Sequence, residues 1–394
     1  MSMRSSDVIV VGAGMTGAAC AYYAARAGLS VTVVDRGPVA GGTTGAGEGN
    51  LLVSDKEPGP ELRLALLSAQ LWRRLAGRFG PEIEYEPKGG LVVAADPARM
   101  AALRDLAAGQ RAAGVVAEEV PADRLHDLEP HLAPGPAGGF HYPQDAQVQP
   151  ALAAAHLLRA AGDRVRLRLG EEVTAVLTGP HGEVSGVATG TGELHAPHVV
   201  NAAGVHGGAL ARSAGTHLPV QPRRGFVLVT EALPPLVRHK VYAADYVADV
   251  ASDSAGLQTS AVVEGTAAGP VLIGASRERV GFDRTLSPAA LRRLAAGATA
   301  LFPVLAGVRV MRAYPGFRPY LPDHLPAIGA DPHVPGLLHA CGHEGAGIGL
   351  APATGLIVTR LLTGGEPPLD IGPFDPGRFD HGHRLVARQP GSAR

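Results

Sequence analysis

The stretch DVIVVGAGMTGAACAYYAARAGLSVTVVDRG, residues 7–37, decides the fold. VIVV reads as a fully buried strand, MTGAACAYYAARAG as a helix closed by Gly28, and SVTVVD as a second buried strand. That order is the pattern of a parallel strand–helix–strand unit. Gly12, Gly14 and Gly17 stand between the first two elements in G-x-G-x-x-G spacing. The first glycine turns the chain, the second admits a pyrophosphate against bare backbone, and the third lets helix pack on strand. The helix start at Met15 and Thr16 offers N–H groups and a partial positive charge to phosphates. Asp35, followed by Arg36, ends the second strand about 20 residues on, where a carboxylate accepts from ribose hydroxyls. A lone glycine motif arises for packing reasons alone. Here strand, helix, strand and acid stand in register, which predicts a bound dinucleotide without distinguishing NAD from FAD.

The chain has 394 residues, 46% of them hydrophobic, enough for one large core or two linked ones. Net charge is −1 with no basic block, which argues against nucleic acid or an anionic membrane as partner. Cys20 and Cys341 are the two cysteines, so a disulfide framework is not expected and a reducing compartment is. Residues 8–34 are apolar enough to be mistaken for an export signal, but glycines interrupt the run and Asp35 closes it without a cleavage site. A soluble, cytoplasmic protein is the expectation.

Two further glycine-rich stretches narrow the cofactor. GGTTGAGEGN, residues 41–50, adds five glycines after the second strand. An NAD-linked dehydrogenase has no need of such a loop, whereas a flavin extends past the first helix and needs open backbone along it. A flexible loop is the alternative. The candidate cofactor residues here are Gly42, Thr43, Thr44, Gly47, Gly49, Asn50 and Leu51. CGHEGAGIGLAPATG, residues 341–355, again places five glycines at the start of a helix. Glycine costs helix stability and is used where backbone must turn or come close to something.

VIVVGAGMTGAACA, DRGPVAGGTTGAGEGN, HVVNAAGVHGGALA and GFRPYLPDHLPAIG followed by CGHEGAGIGLAPATG run from residue 8 to about residue 362. Through these blocks the sequence resembles the D-amino-acid oxidase family of FAD-dependent oxidoreductases, the group with glycine oxidase and sarcosine oxidase. Within it, the last block looks most like the flavin subunits of hydrogen cyanide synthase, opine oxidase and proline or hydroxyproline dehydrogenases. The resemblance implies an α/β (α+β) fold: an FAD-binding, Rossmann-like doubly wound domain interleaved with a smaller substrate domain on a mixed or antiparallel sheet. The FAD domain is expected from 1–85, 145–218 and 320–380, the substrate domain from 86–144 and 219–319, and a flexible tail from 381–394. From the residues themselves, Asp96-Pro97 and Ser287-Pro288 cap helices, Pro150 opens another, and 61–79 forms an amphipathic helix with Trp72 on its core face.

The same resemblance implies the site. Val173 matches the residue whose backbone holds the adenine, and Ala202, Ala203 and Gly204 lie beside the cofactor. His206 stands where relatives carry Trp. Gly342, Gly345, Gly347 and Ile348 are backbone neighbours of the flavin pyrimidine edge, where the helix dipole meets the charge that accumulates on reduction. His343 and Glu344 either share that role or order the turn. Some relatives tether flavin through a Cys; RVMRAYPGFRP has none, so non-covalent FAD is expected. Cys341 reads as a small packing residue.

The implied reaction oxidises a CH–NH bond by hydride transfer to flavin N5. Its substrate is a small amino acid, imino acid or N-substituted amino acid. Arg318 matches the Arg that binds the substrate carboxylate, with an ion pair to Asp323 as the alternative. Tyr242 and Tyr246 lie where relatives carry a substrate-facing Tyr, with packing the alternative for both. Glu278 is either a pocket group or a surface acid. His381 and His383 lack the carboxylate or Cys pattern of a metal site, and no metal is expected. A dehydrogenase subunit with partner subunits is the first reading. A stand-alone, peroxide-producing glycine or D-amino-acid oxidase is the second, a non-catalytic electron-relay subunit the third, and an NAD-linked dehydrogenase the last.

Overall fold

The computed structural model describes residues 6–250 and 253–380, so the tail expected at 381–394, with its two histidines, lies outside the described residues. The opening motif forms as its pattern dictates. Val8–Val11 is a strand with every residue buried, Met15–Arg26 a helix, and Val31–Asp35 a strand. They belong to a six-stranded sheet whose spatial order is Ala327–Ala330, Leu337–Cys341, His198–Asn201, Val8–Val11, Val31–Asp35, Val165–Leu169. All neighbours are parallel except the first pair. The chain leaves Val8–Val11 toward one edge and later fills the other side, so the strand order reverses there. In doubly wound sheets, ligands bind outside the carboxyl ends of the strands at that reversal.

A second, eight-stranded sheet is mixed. Its order is Val310–Tyr320, Gln221–Ala232, Pro270–Arg277, Gln258–Gly265, Lys240–Ala243, Gly90–Ala94, Gly138–Tyr142, Glu118–Pro121. Every pairing is antiparallel except Lys240–Ala243 on Gly90–Ala94. The expected caps are in place: Asp96 accepts from the Arg99 N–H at 2.8 Å and Ser287 from the Ala290 N–H at 3.3 Å.

The helix Gly347–Leu362 is the pivot of the packing. With the turn before it, Glu344–Leu362 has the length and hydropathy of a membrane span, but half of that window is buried inside the protein. Gly355 lets it cross the first helix backbone against backbone, since a Cβ there would sit 2.6 Å from the Ala19 carbonyl carbon. Pro352 inside this helix has no N–H to give the Ile348 carbonyl. The helix Pro60–Phe79 supplies the missing donors. Trp72 Nε1 donates to Gly349 O at 3.0 Å and Ile348 O at 3.3 Å, and Ser68 Oγ donates to Gly349 O at 2.6 Å. Trp72 is thus a core residue, as its helix face suggests, with a polar duty the pattern does not reveal.

Trp72→Phe keeps the ring and removes the donor, leaving buried carbonyls short of a partner. Urea unfolding is expected to show a loss of about 1–3 kcal/mol; a change within error would mean that the Trp72 bonds add nothing to stability.

Candidate active site

A cavity of about 640 Å³ opens where the carboxyl ends of the six-stranded sheet meet the eight-stranded one, in the size range of cofactor sites. Its lining includes Gly12, Gly14, Met15, Thr16, Asp35, Arg36, Gly42, Thr43, Thr44, Gly47, Asn50, Val173, Ala202, Ala203 and Gly204. His343, Glu344, Gly345, Gly347, Ile348, Tyr246 and Arg318 line it too. The sequence-derived residues are therefore largely brought together. Five are not. Gly17 faces the chain, because a Cβ there would overlap the Gly12 carbonyl. Gly49 abuts Val148 O, and Gly342, at φ +81°, abuts the Leu321 side chain. Leu51 pairs with Ala146 in the core. Tyr242 is fully buried, donating to Ser54 Oγ at 2.6 Å behind the Tyr246 ring. A missing Cβ can make room for chain as well as for ligand.

The cavity suits a flavin dinucleotide by its own geometry. The first helix begins at Met15 after Gly14, which offers no side-chain cap, and its first turn carries no acid. A Cβ at Gly42 would meet nothing within 4 Å, leaving that backbone bare toward the cavity. Met15 N–H donates to Thr44 Oγ1 at 2.9 Å, and Thr43 Oγ1 donates to Phe317 O at 2.6 Å, which fixes the glycine-rich loop between the two sheets. Asp35 accepts from the Ala13 and Gly37 N–H groups at 2.7 and 2.8 Å, so its carboxylate is aimed at the cavity rim before any ribose arrives. His206, the departure from Trp, stacks on Phe282 at 5.0 Å and accepts from Arg36 at 2.6 Å. Burial and the Arg36 charge hold its pKa below the usual histidine value.

At the other end, side-chain hydrogen bonds and ion pairs organise the loop before the last helix. Thr354 Oγ1 donates to Leu350 O, so His343 Nε2–H donates to that hydroxyl at 2.9 Å. Burial pushes the His343 pKa down to about 4, and it is neutral at pH 7. Glu344 sits at φ +46° and pairs with Arg223 and with His324 Nδ1 at 3.0 Å. Burial alone would raise its carboxyl; His324 and Arg223 outweigh it and hold the acid below its usual value. Both residues thus bond within the chain while lining the two cavities.

Arg318 leaves the strand Val310–Tyr320 opposite Arg223, and its guanidinium lies over Gly225, where any Cβ would overlap it. Nη1 donates to Ser276 O at 2.8 Å. The alternative ion pair does not form: Asp323 pairs with Arg378. Burial, then the Arg277 charge, lower the Arg318 pKa. A second cavity of about 240 Å³ adjoins the first and shares Arg318, Tyr246, His343, Glu344 and Gly345 with it. Its other walls carry groups the sequence did not single out: Asp55, Lys56, Glu61, Arg277 and His324. Lys56 pairs with Asp55 at 2.8 Å and Glu61 at 3.7 Å. Glu278 is neither pocket group nor surface acid; it is buried against Arg224 at 2.8 Å. Cys20 and Cys341 are buried, which pushes both thiols up to about 12. Among the described residues no cluster fit to hold a metal occurs.

Comparison with known proteins agrees with this geometry. The family described as FAD dependent oxidoreductase matches residues 7–361. The chain belongs to that family and is an FAD-dependent enzyme. It is 31% identical to hydrogen cyanide synthase subunit HcnC of Pseudomonas aeruginosa over 98% of this chain and 99% of that one. It is 32% identical to glycine oxidase of Pseudomonas putida over 94% and 98%. Among solved structures, glycine oxidase from Geobacillus kaustophilus superimposes with TM-score 0.85 at 28% identity, covering 95% of this chain and 99% of that one. L-proline dehydrogenase from P. horikoshii, at 23% identity and TM-score 0.87 over 96% and 98%, shares the fold.

The His324–Glu344 pair gives a pH signature. Its hydrogen bond to Glu344 raises the His324 pKa in the fold. Its contribution to stability is full below about pH 6.5 and is lost as pH rises through the higher folded value. The Tm gap between the parent protein and His324→Gln is expected to narrow as pH increases; a gap that widens with pH would contradict the pairing.

Proposed function

We propose that the enzyme oxidises the CH–NH bond of a small amino acid, imino acid or N-substituted amino acid, as the flavin subunit of a dehydrogenase. The observation that carries the substrate class is Arg318. Its guanidinium sits where the two cavities join, bonded to one backbone carbonyl, with no ion pair to any carboxylate among the described residues. A half-buried cation without an acid is disfavoured unless an anion from outside completes it. A substrate carboxylate does so through a two-pronged bond.

Met15, Thr16 and the bare backbone at Gly14 and Gly42 would hold the pyrophosphate of FAD, with Asp35 at the ribose. Gly345, Gly347 and Ile348, at the start of the last helix, would flank the flavin. FAD, when bound, supplies the acceptor for the hydride leaving the substrate carbon. The chain's own work is positional. Arg318 fixes the carboxylate, and the Tyr246 ring walls the same space. His343, held neutral, adds no positive charge beside the substrate amine. Similarity to a hydrogen cyanide synthase subunit supports the dehydrogenase reading, and similarity to glycine oxidases supports a stand-alone oxidase as its rival.

Anaerobic bleaching of the flavin across D- and L-amino acids, glycine, sarcosine and prolines tests the class. Arg318→Ala is expected to raise KM for the bleaching substrate about a hundredfold or more, the loss of a charge-assisted bidentate bond. Unchanged turnover would favour the electron-relay reading instead. Dye reduction without stoichiometric peroxide marks a dehydrogenase, and rapid peroxide an oxidase. Acid precipitation is expected to release the flavin into the supernatant; yellow colour kept by the pellet would overturn non-covalent binding.

A further inference from the structure

Two guanidiniums face the smaller cavity, and the role assigned to Arg318 accounts for one of them. Arg277 ends the strand Pro270–Arg277 and is 4% exposed. Its guanidinium lies over the Tyr246 ring, 4.9 Å from the centroid, and lines the cavity together with Arg318. Among the described residues it has no ion pair with any acid. The two arginines meet at one point of the sheet: Arg318 Nη1 donates to the carbonyl of Ser276, the residue just before Arg277.

Apart from the exposed Glu57, the other charges around this cavity are paired within the chain. Lys56 is held by Asp55 and Glu61, and Glu344 by Arg223 and His324. Two positive charges are left with no carboxylate against them, on one side of one cavity. Like charges side by side repel, and an anion bound between them relieves that repulsion. At roughly 30 Å³ per water-sized group, a cavity of 240 Å³ takes about eight such groups. Glycine has about five and leaves room unfilled, whereas a dicarboxylate with a bridging nitrogen, about nine, spans the cavity and its junction with the larger one.

We propose that Arg277 is a second carboxylate anchor and that the substrate is an N-carboxyalkyl amino acid. One carboxylate lies on Arg318 beside the carbon to be oxidised, and the other, across the nitrogen, lies on Arg277. This rests on the CH–NH oxidation proposed above. In that reaction the C–H bond breaks and its electron pair passes with the hydrogen to FAD. The nitrogen lone pair forms C=N, the N–H proton goes to solvent, and water then splits the product into an oxo acid and a primary amino acid.

Two inert ethers separate the alternatives. Diglycolate carries a carboxylate on each side of an ether oxygen, and methoxyacetate carries one. Calorimetric titration of the holoenzyme is expected to show diglycolate binding about ten- to hundredfold more tightly. In Arg277→Met that preference is expected to fall to about threefold or less, and Arg277→Lys to restore part of it. In turnover, the ratio of kcat/KM for iminodiacetate to that for sarcosine is expected to fall about ten- to hundredfold in Arg277→Met. Equal affinity for the two ethers in the parent protein overturns the proposal. So does an equal loss of both in the variant, which would show one carboxylate bridging both arginines. If no amino acid bleaches the flavin, the oxidation reading fails by itself, and the ether titrations still decide the role of Arg277.

Discussion

The contact of Gly355 with the backbone of Ala19 and Cys20 is the constraint on which the site depends. It lets the last helix lie directly on the first. The first begins at Met15 and the last at Gly347, and both starts line one cavity. Two helix N-termini on one space make it favourable to negative charge at two separated points, which is the electrostatic shape of a phosphate chain joined to a reducible ring. The proline within the last helix disturbs its ladder close to that start, and Trp72 with Ser68 repairs the break from a third helix. Position and polarity at the cavity are thus fixed by packing some distance away.

Small residues do similar work where the two sheets meet. Gly225 and Gly316 face each other across paired strands. Gly225 leaves room for the Arg318 guanidinium, and Gly316 lets Ala46 of the glycine-rich loop approach, since a Cβ would come within 3.0 Å. A longer side chain at either position would part the anchor from the cofactor loop. Around this slot the charges are arranged so that acids of the chain satisfy Arg223 and Lys56 but leave Arg318 and Arg277 to the cavity.

The frame was legible because strand, helix and turn chemistry agreed at each step. VIVV, Gly28, Asp35, Asp96-Pro97 and Ser287-Pro288 each carry a local physical reason for the element they form. The glycine-rich stretches pointed to the right place but not to which glycine faces what. At Gly12, Gly17 and Gly49 the room is taken by carbonyls of the chain itself, which no local pattern announces. Tyr242 and Tyr246 differ for a similar reason: the first lies in a strand and turns into the core, the second in the helix after it and reaches the cavity. Arg277 went unread beside Glu278 because the partner that distinguishes them, Arg224, lies more than fifty residues away in sequence.

The six-stranded sheet is threaded from three distant parts of the chain, with strands at 8–35, 165–201 and 327–341. During synthesis the opening strand–helix–strand unit emerges early, yet its neighbour His198–Asn201 and the helix seated on Ala19 come from far downstream. Until then the apolar face of the first helix has no final cover, and closure waits on contacts between remote stretches. The nucleotide cradle therefore sets only after the ribosome has delivered both the strand at 198–201 and the last helix.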